Sequence, residues 1–156
     1  MQMERVLQDL KPERVFRYFE EISAIPRQSG KCEMISDYIV DFAKSHDLEY
    51  VKDTMSNVVI RKKSSRDNDT RPVVILQGHM DMVCEKSFDF ESKHDFGKDG
   101  LKLCVLDDFI YAKGTTLGAD DGIALAYMLS LLEDDTLDLP PIEAVFTVDE
   151  IGRAHV

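Results

Sequence analysis

No apolar run in these 156 residues approaches the length of about 20 residues that a bilayer-spanning helix needs. The start, Met-Gln-Met-Glu-Arg, lacks the basic stretch, apolar core and small-residue cleavage site of a secretory leader, so a cytoplasmic location is expected. Cysteine is scarce: Cys32, Cys84 and Cys104 are odd in number, unrelated in spacing and form no C-x-x-C pair. That excludes a disulfide framework and a thiolate zinc knot, and the three read as reduced thiols. Basic charge runs short in the second half. Residues 1–72 carry 13 basic and 13 acidic residues, whereas residues 73–156 carry 6 basic and 17 acidic, so the net charge of −11 belongs to the latter. Nucleic acid and anionic membrane are poor partners for such a surface. With 44% apolar and 31% charged residues, the chain can form one domain with a real core.

The stretch that organises the rest is Val73 to Glu85, Val-Val-Ile-Leu-Gln-Gly-His-Met-Asp-Met-Val-Cys-Glu. Val73 to Leu76 is short, unbroken and rich in β-branched residues, which predicts a strand buried on both faces of an α/β sheet. Upstream, Pro12 followed by Val15, Phe16, Phe19 and Ile22 predicts a first helix that stops at Ile25-Pro26, and Met34, Ile35, Tyr38, Ile39 and Phe42 predict a second ending near His46. Leu48–Val51 and Asn57–Arg61 read as a hairpin, and Lys62–Arg71 as a surface loop. Downstream, Glu85–Leu106 has no clear period and reads as an irregular loop. Phe109–Ala112 reads as a short strand. Lys113 to Gly122 is a glycine-punctuated loop opening a buried helix over Ile123–Leu132, with Asp120 or Asp121 as its N-cap. After Pro140-Pro141, Ile142–Val148 gives a second apolar strand.

Three carboxylate clusters fall at the ends of these elements: His79 with Asp81, Asp120 with Asp121, and Asp149 with Glu150. The carboxyl ends of strands in an open α/β sheet are where ligands bind. Several carboxylates gathered in one cleft repel each other unless a cation neutralises them. One imidazole among acids suits zinc, with Mn2+ or Co2+ as substitutes, and a shared carboxylate is a usual bridge between two ions. A further carboxylate that meets water and no metal can act as general base. Taken singly, each residue also has a plain structural explanation: a hydrogen-bonded histidine, a helix cap, a solvated glutamate.

The motifs Gln-Gly-His79-Met-Asp81-Met-Val-Cys-Glu-Lys86 and Gly114-Thr-Thr-Leu-Gly-Ala-Asp120-Asp-Gly-Ile-Ala124 closely resemble the aminoacyl-histidine dipeptidase (cytosol non-specific dipeptidase) branch of the di-zinc aminoacylase/carboxypeptidase clan. Ile25-Pro-Arg-Gln-Ser-Gly30 and Asn57-Val-Val-Ile60 resemble the same branch, and the likeness runs to about Glu150. It implies a zinc-exopeptidase-like α/β domain, with a mixed, largely parallel sheet flanked by helices and incomplete here. Residues 1–150 would form the amino-terminal part of the catalytic domain. It further implies His79 as a zinc ligand, Asp81 as the acid that orients this histidine, Asp120 as the carboxylate bridging two zincs, and Glu150 as the general base. The implied substrates are dipeptides, Xaa-His among them, and the implied assembly is a homodimer.

The departures are specific. Family members follow the catalytic glutamate with a metal-binding glutamate where Ile151 stands here, and their later aspartate, late histidine and inserted lid or dimerisation domain lie past residue 156. The ending Glu-Ile-Gly-Arg-Ala-His-Val156 does not resemble the family, and one back-translation of it reads like a sequencing-library adapter. Residues 151–156 are therefore expected to be a non-native tail. Alongside the dipeptidase reading stand an N-acyl amino acid deacylase of the same clan and a non-catalytic fragment, inactive alone, that exposes apolar surface.

Overall fold

The computed structural model describes residues 5–88 and 94–150. Helix α1 (Glu13–Ser23) starts directly after Pro12, whose extended backbone cannot continue a helix backwards, and buries Val15, Tyr18, Phe19 and Ile22. Helix α2 (Glu33–Ser45) buries Ile35, Ile39, Val40 and Phe42, with His46 at its carboxyl end. Strands β1 (Glu49–Lys52) and β2 (Val58–Lys62) form the expected antiparallel hairpin. Strand β3 (Val74–His79) follows, then β4 (Leu103–Leu106), β5 (Phe109–Ala112), helix α3 (Ala119–Glu133) and β6 (Ile142–Thr147).

Among the described residues, four strands make one sheet in the order β1-β2-β6-β3, while β4 and β5 form a separate antiparallel pair. The mixed α/β class expected from the sequence holds, and among the described strands the parallel pair is β3 with β6, the two strands whose ends carry the acidic clusters. Because β2 and β3 flank β6 in register, Val58, Ile60, Ile142, Ala144, Phe146 and Gly78 share one face. The three helices join that face in a single apolar cluster. Gly78 is needed there, since a Cβ would sit 3.0 Å from Asp121 Oδ2 and from Leu125 Cδ2 of α3.

Two expectations fail. Among the described residues the strand predicted to be buried on both faces is an edge strand bonded to β6 alone, and Ile75, on the face away from the helices, is 65% exposed. An unbroken apolar run reports what a strand prefers to touch, and no element among the described residues covers this face. The region read as irregular also contains β4: its four residues pair with β5 in a tight hairpin whose turn places Asp107 at φ 51°, and neither the short run Leu-Cys-Val-Leu nor the Asp107-Asp108 turn, which lacks glycine, announces it. Residues 89–93 of that region and the tail 151–156 lie outside the described residues.

Candidate active site

Parallel pairing continues one step past β3, where Met80 N–H donates to Thr147 O at 2.7 Å. The chain then turns, and the carboxyl ends of β3 and β6 open together. His79 Nδ1 lies 2.9 Å from Asp81 Oδ1 and 3.2 Å from the Asp81 carbonyl, both acceptors, so Nδ1 carries the proton. Asp81 is 3% exposed and fully engaged: Ser29 Oγ donates to its Oδ2 at 2.5 Å, and the Glu150 backbone N–H donates to its Oδ1 at 3.2 Å. On the other side of the ring, Nε2 lies 3.1 Å from Asp120 Oδ1, and the Asp120 side chain is 95% exposed.

Both ring nitrogens of His79 therefore face carboxylate oxygens. A neutral imidazole has only one N–H to offer, so the Nε2···Asp120 contact needs either an imidazolium or a cation between the two groups. Burial works against protonating His79, but hydrogen bonds to Asp120 and Asp81 and the charges of Asp81 and Asp121 outweigh it and raise its pKa. An imidazole nitrogen fixed by a carboxylate behind it, facing a second carboxylate, is a donor pair of the kind zinc takes. The pair fits the metal in chemistry and falls short in number: among the described residues no group of three or more His, Cys, Asp or Glu side chains gathers around one point.

Beside this pair lies a cavity of about 400 Å³ lined by Ser29, His79, Asp81, Thr116, Leu117, Asp120 and Glu150. A larger cavity, about 730 Å³, lies at the amino ends of β3 and β6. Most of its charges are held in ion pairs, Arg61 with Glu143 at 2.6 Å, Lys62 with Asp135 at 2.8 Å, and Glu133 and Asp134 with Arg14 of α1. The smaller cavity holds the unpaired chemistry and is the candidate site.

No family model matches the chain. The cytosol non-specific dipeptidase of Escherichia coli (strain K12) is 36% identical over 144 residues, covering 92% of this chain and 29% of the relative. The crystal structure of the aminoacylhistidine dipeptidase from Vibrio alginolyticus superposes with a TM-score of 0.88 at 34% identity, over 94% of this chain and 30% of that one. The resemblance to the dipeptidase branch holds. A tripeptidase structure from Staphylococcus aureus matches with a TM-score of 0.69 at 25% identity, over 87% of this chain and 36% of that one. The chain thus spans about a third of the length of the peptidases it matches.

Within this dipeptidase-like chain the four singled-out residues, His79, Asp81, Asp120 and Glu150, all line the one cavity. Their neighbours in sequence do other work. Asp121 Oδ2 accepts the His79 backbone N–H at 3.2 Å, and Asp149 Oδ1 accepts the Gly30 N–H at 3.0 Å. Neither Asp120 nor Asp121 caps α3 by a side-chain hydrogen bond, contrary to the N-cap expectation. Both have non-helical backbone, the peptide between them is cis, and the position before Ala119 is Gly118 at φ +65°. The cap is displaced because Asp121 is drawn to β3 instead. Sequence reasoning missed Ser29 and Arg27. The stretch Ile25–Gly30 resembled the family, but nothing in it distinguishes an internal arginine from a surface one.

Proposed function

We propose that this chain belongs to a metal-dependent dipeptidase and contributes to its catalytic site. The observation that carries the reading is His79, held by buried Asp81 and aimed at exposed Asp120 across a cavity that also contains Glu150. In this reading His79 and Asp120 would hold zinc, and the remaining ligands would come from outside residues 5–150. When bound, the metal supplies Lewis-acid polarisation and makes water acidic enough to attack near neutral pH. Asp81 fixes the imidazole so that Nε2 presents its lone pair outward. Glu150 takes the proton from the attacking water and returns it to the leaving amine. The cavity volume suits a small peptide. Dipeptides, Xaa-His among them, are the proposed substrates, with residues 1–150 as part of the catalytic domain and a homodimer as the assembly.

The test is a chimera in which this chain replaces the matched segment of the Escherichia coli dipeptidase. Hydrolysis of Xaa-His dipeptides that chelator abolishes and zinc restores is the expected result. Preferential cleavage of N-acyl amino acids would transfer the site to a deacylase, and a folded, zinc-loaded chimera cleaving neither would refute the reading.

A further inference from the structure

Arg27 is 2% exposed, and its guanidinium lies immediately behind the site. Its Nη1 donates to the carbonyls of Met80, at 3.1 Å, and Asp81, at 3.3 Å, in the loop that leaves β3. Its Nη2 donates to the carbonyl of Gly118, in the loop that carries Asp120. The Arg27 carbonyl in turn accepts the Met82 N–H at 3.0 Å. Two loops almost forty residues apart in sequence are thus joined through one planar group, which a lysine's single ammonium cannot span in the same way.

The glycines of Leu-Gly118-Ala-Asp-Asp-Gly122 are explained by the same group. A Cβ at Gly118 would lie 2.6 Å from Arg27 Nη2 and 2.6 Å from Met82 Sδ, and one at Gly122 would lie 2.7 Å from Nη2. The loop is glycine-punctuated because an arginine head passes through it. Burial lowers the pKa of Arg27 to about 10, against the opposing influence of Cys84, Asp81, Cys32 and Asp121, so it remains a cation at neutral pH. A buried cation is costly, and an apolar side chain of similar volume is often no less stable. What the apolar residue would not supply is a fixed relation between the two loops.

We infer that Arg27 is a positioning residue, whose guanidinium sets the register between the loop bearing His79 and Asp81 and the loop bearing Asp120. Its importance for catalysis rests on the dipeptidase reading; its effect on His79 does not. The test therefore reads His79 in the metal-free 156-residue chain, by long-range 1H–15N spectra that report which ring nitrogen is protonated. In the unmutated chain the neutral ring shows one persistent tautomer with the proton on Nδ1. Arg27→Lys and Arg27→Met lose that single tautomer. Leu129→Ala, which opens a hole in α3 away from the site, lowers Tm but keeps it. Arg27 variants that fold and retain the wild-type His79 pattern overturn the inference, as does loss of the pattern in Leu129→Ala. Should the Arg27 variants not fold, the unmutated chain still decides: its Arg27 Nη protons must be slow to exchange and hindered in rotation, and rapid averaging overturns the inference. Active chimera with an Arg27-independent His79 removes this inference alone; an inactive one with an Arg27-dependent His79 removes the dipeptidase reading alone.

Discussion

The two ends of the β3–β6 pair are both rich in carboxylates and use them in opposite ways. At the amino ends nearly every acid has a basic partner: Glu143 with Arg61, Asp135 with Lys62, Asp138 with Arg66 and Arg71. At the carboxyl ends Asp81 and Asp120 share one imidazole, and the adjacent buried cation, Arg27, donates to carbonyls and to no carboxylate. Paired charges of the first kind neutralise each other and add little stability at the surface. Acids that outnumber their basic partners around a cavity are stable only with a cation or a shifted proton equilibrium, which is why chemistry collects there.

That contrast can be broken from either side. The largest effect is expected from Glu150→Gln in the chimera, where loss of the proton acceptor lowers kcat by about 10²- to 10⁴-fold while zinc content, measured by atomic absorption, stays the same. A drop confined to KM would contradict the role. Asp81→Asn comes next: zinc affinity in calorimetry falls by about 10- to 100-fold because the imidazole loses its orienting acceptor.

At the amino ends the expected effects concern stability. Hydrogen bonds from the Thr136 hydroxyl and backbone, with Arg14 adding to them, lower the Asp134 pKa from 3.8 to about 2. A carboxylate depressed in the folded state contributes stability that is complete above the unfolded value and lost as pH falls through the folded one. Asp134→Asn should therefore flatten the acid-unfolding curve between pH 4 and pH 2, followed by circular dichroism, and leave zinc affinity untouched. The smallest effect is expected from Arg61→Ala, a slight loss of Tm that shrinks further as salt is added, with chimera activity unchanged. A large activity loss there would dissolve the distinction between the two ends.

Much of this arrangement was legible beforehand. Both early helices, the hairpin, β5 and β6 follow from apolar spacing, the three acidic clusters follow from their places at strand and loop ends, and the choice of His79, Asp81, Asp120 and Glu150 among them follows from the family resemblance. What was misread shares one cause. The apolar composition of β3 reads as a strand covered on both faces, yet Ile75 lies open since covering depends on neighbours in space. Asp120 or Asp121 reads as a cap because aspartate before a helix usually is one, yet the His79 ring engages the first and a backbone N–H of β3 the second. Arg27 went unnoticed because a guanidinium finds three carbonyls only after two distant loops have closed on it.

Taken alone, the order of residues fixed which segments are helix or strand and which acids stand at their ends, since both depend on spacing along the backbone. Folding decided which of those acids meet, which turn aside to hold a loop, and what lies buried behind them. Those outcomes depend on parallel pairing of β3 with β6 and on the docking of α3, contacts between residues that the chain itself keeps far apart.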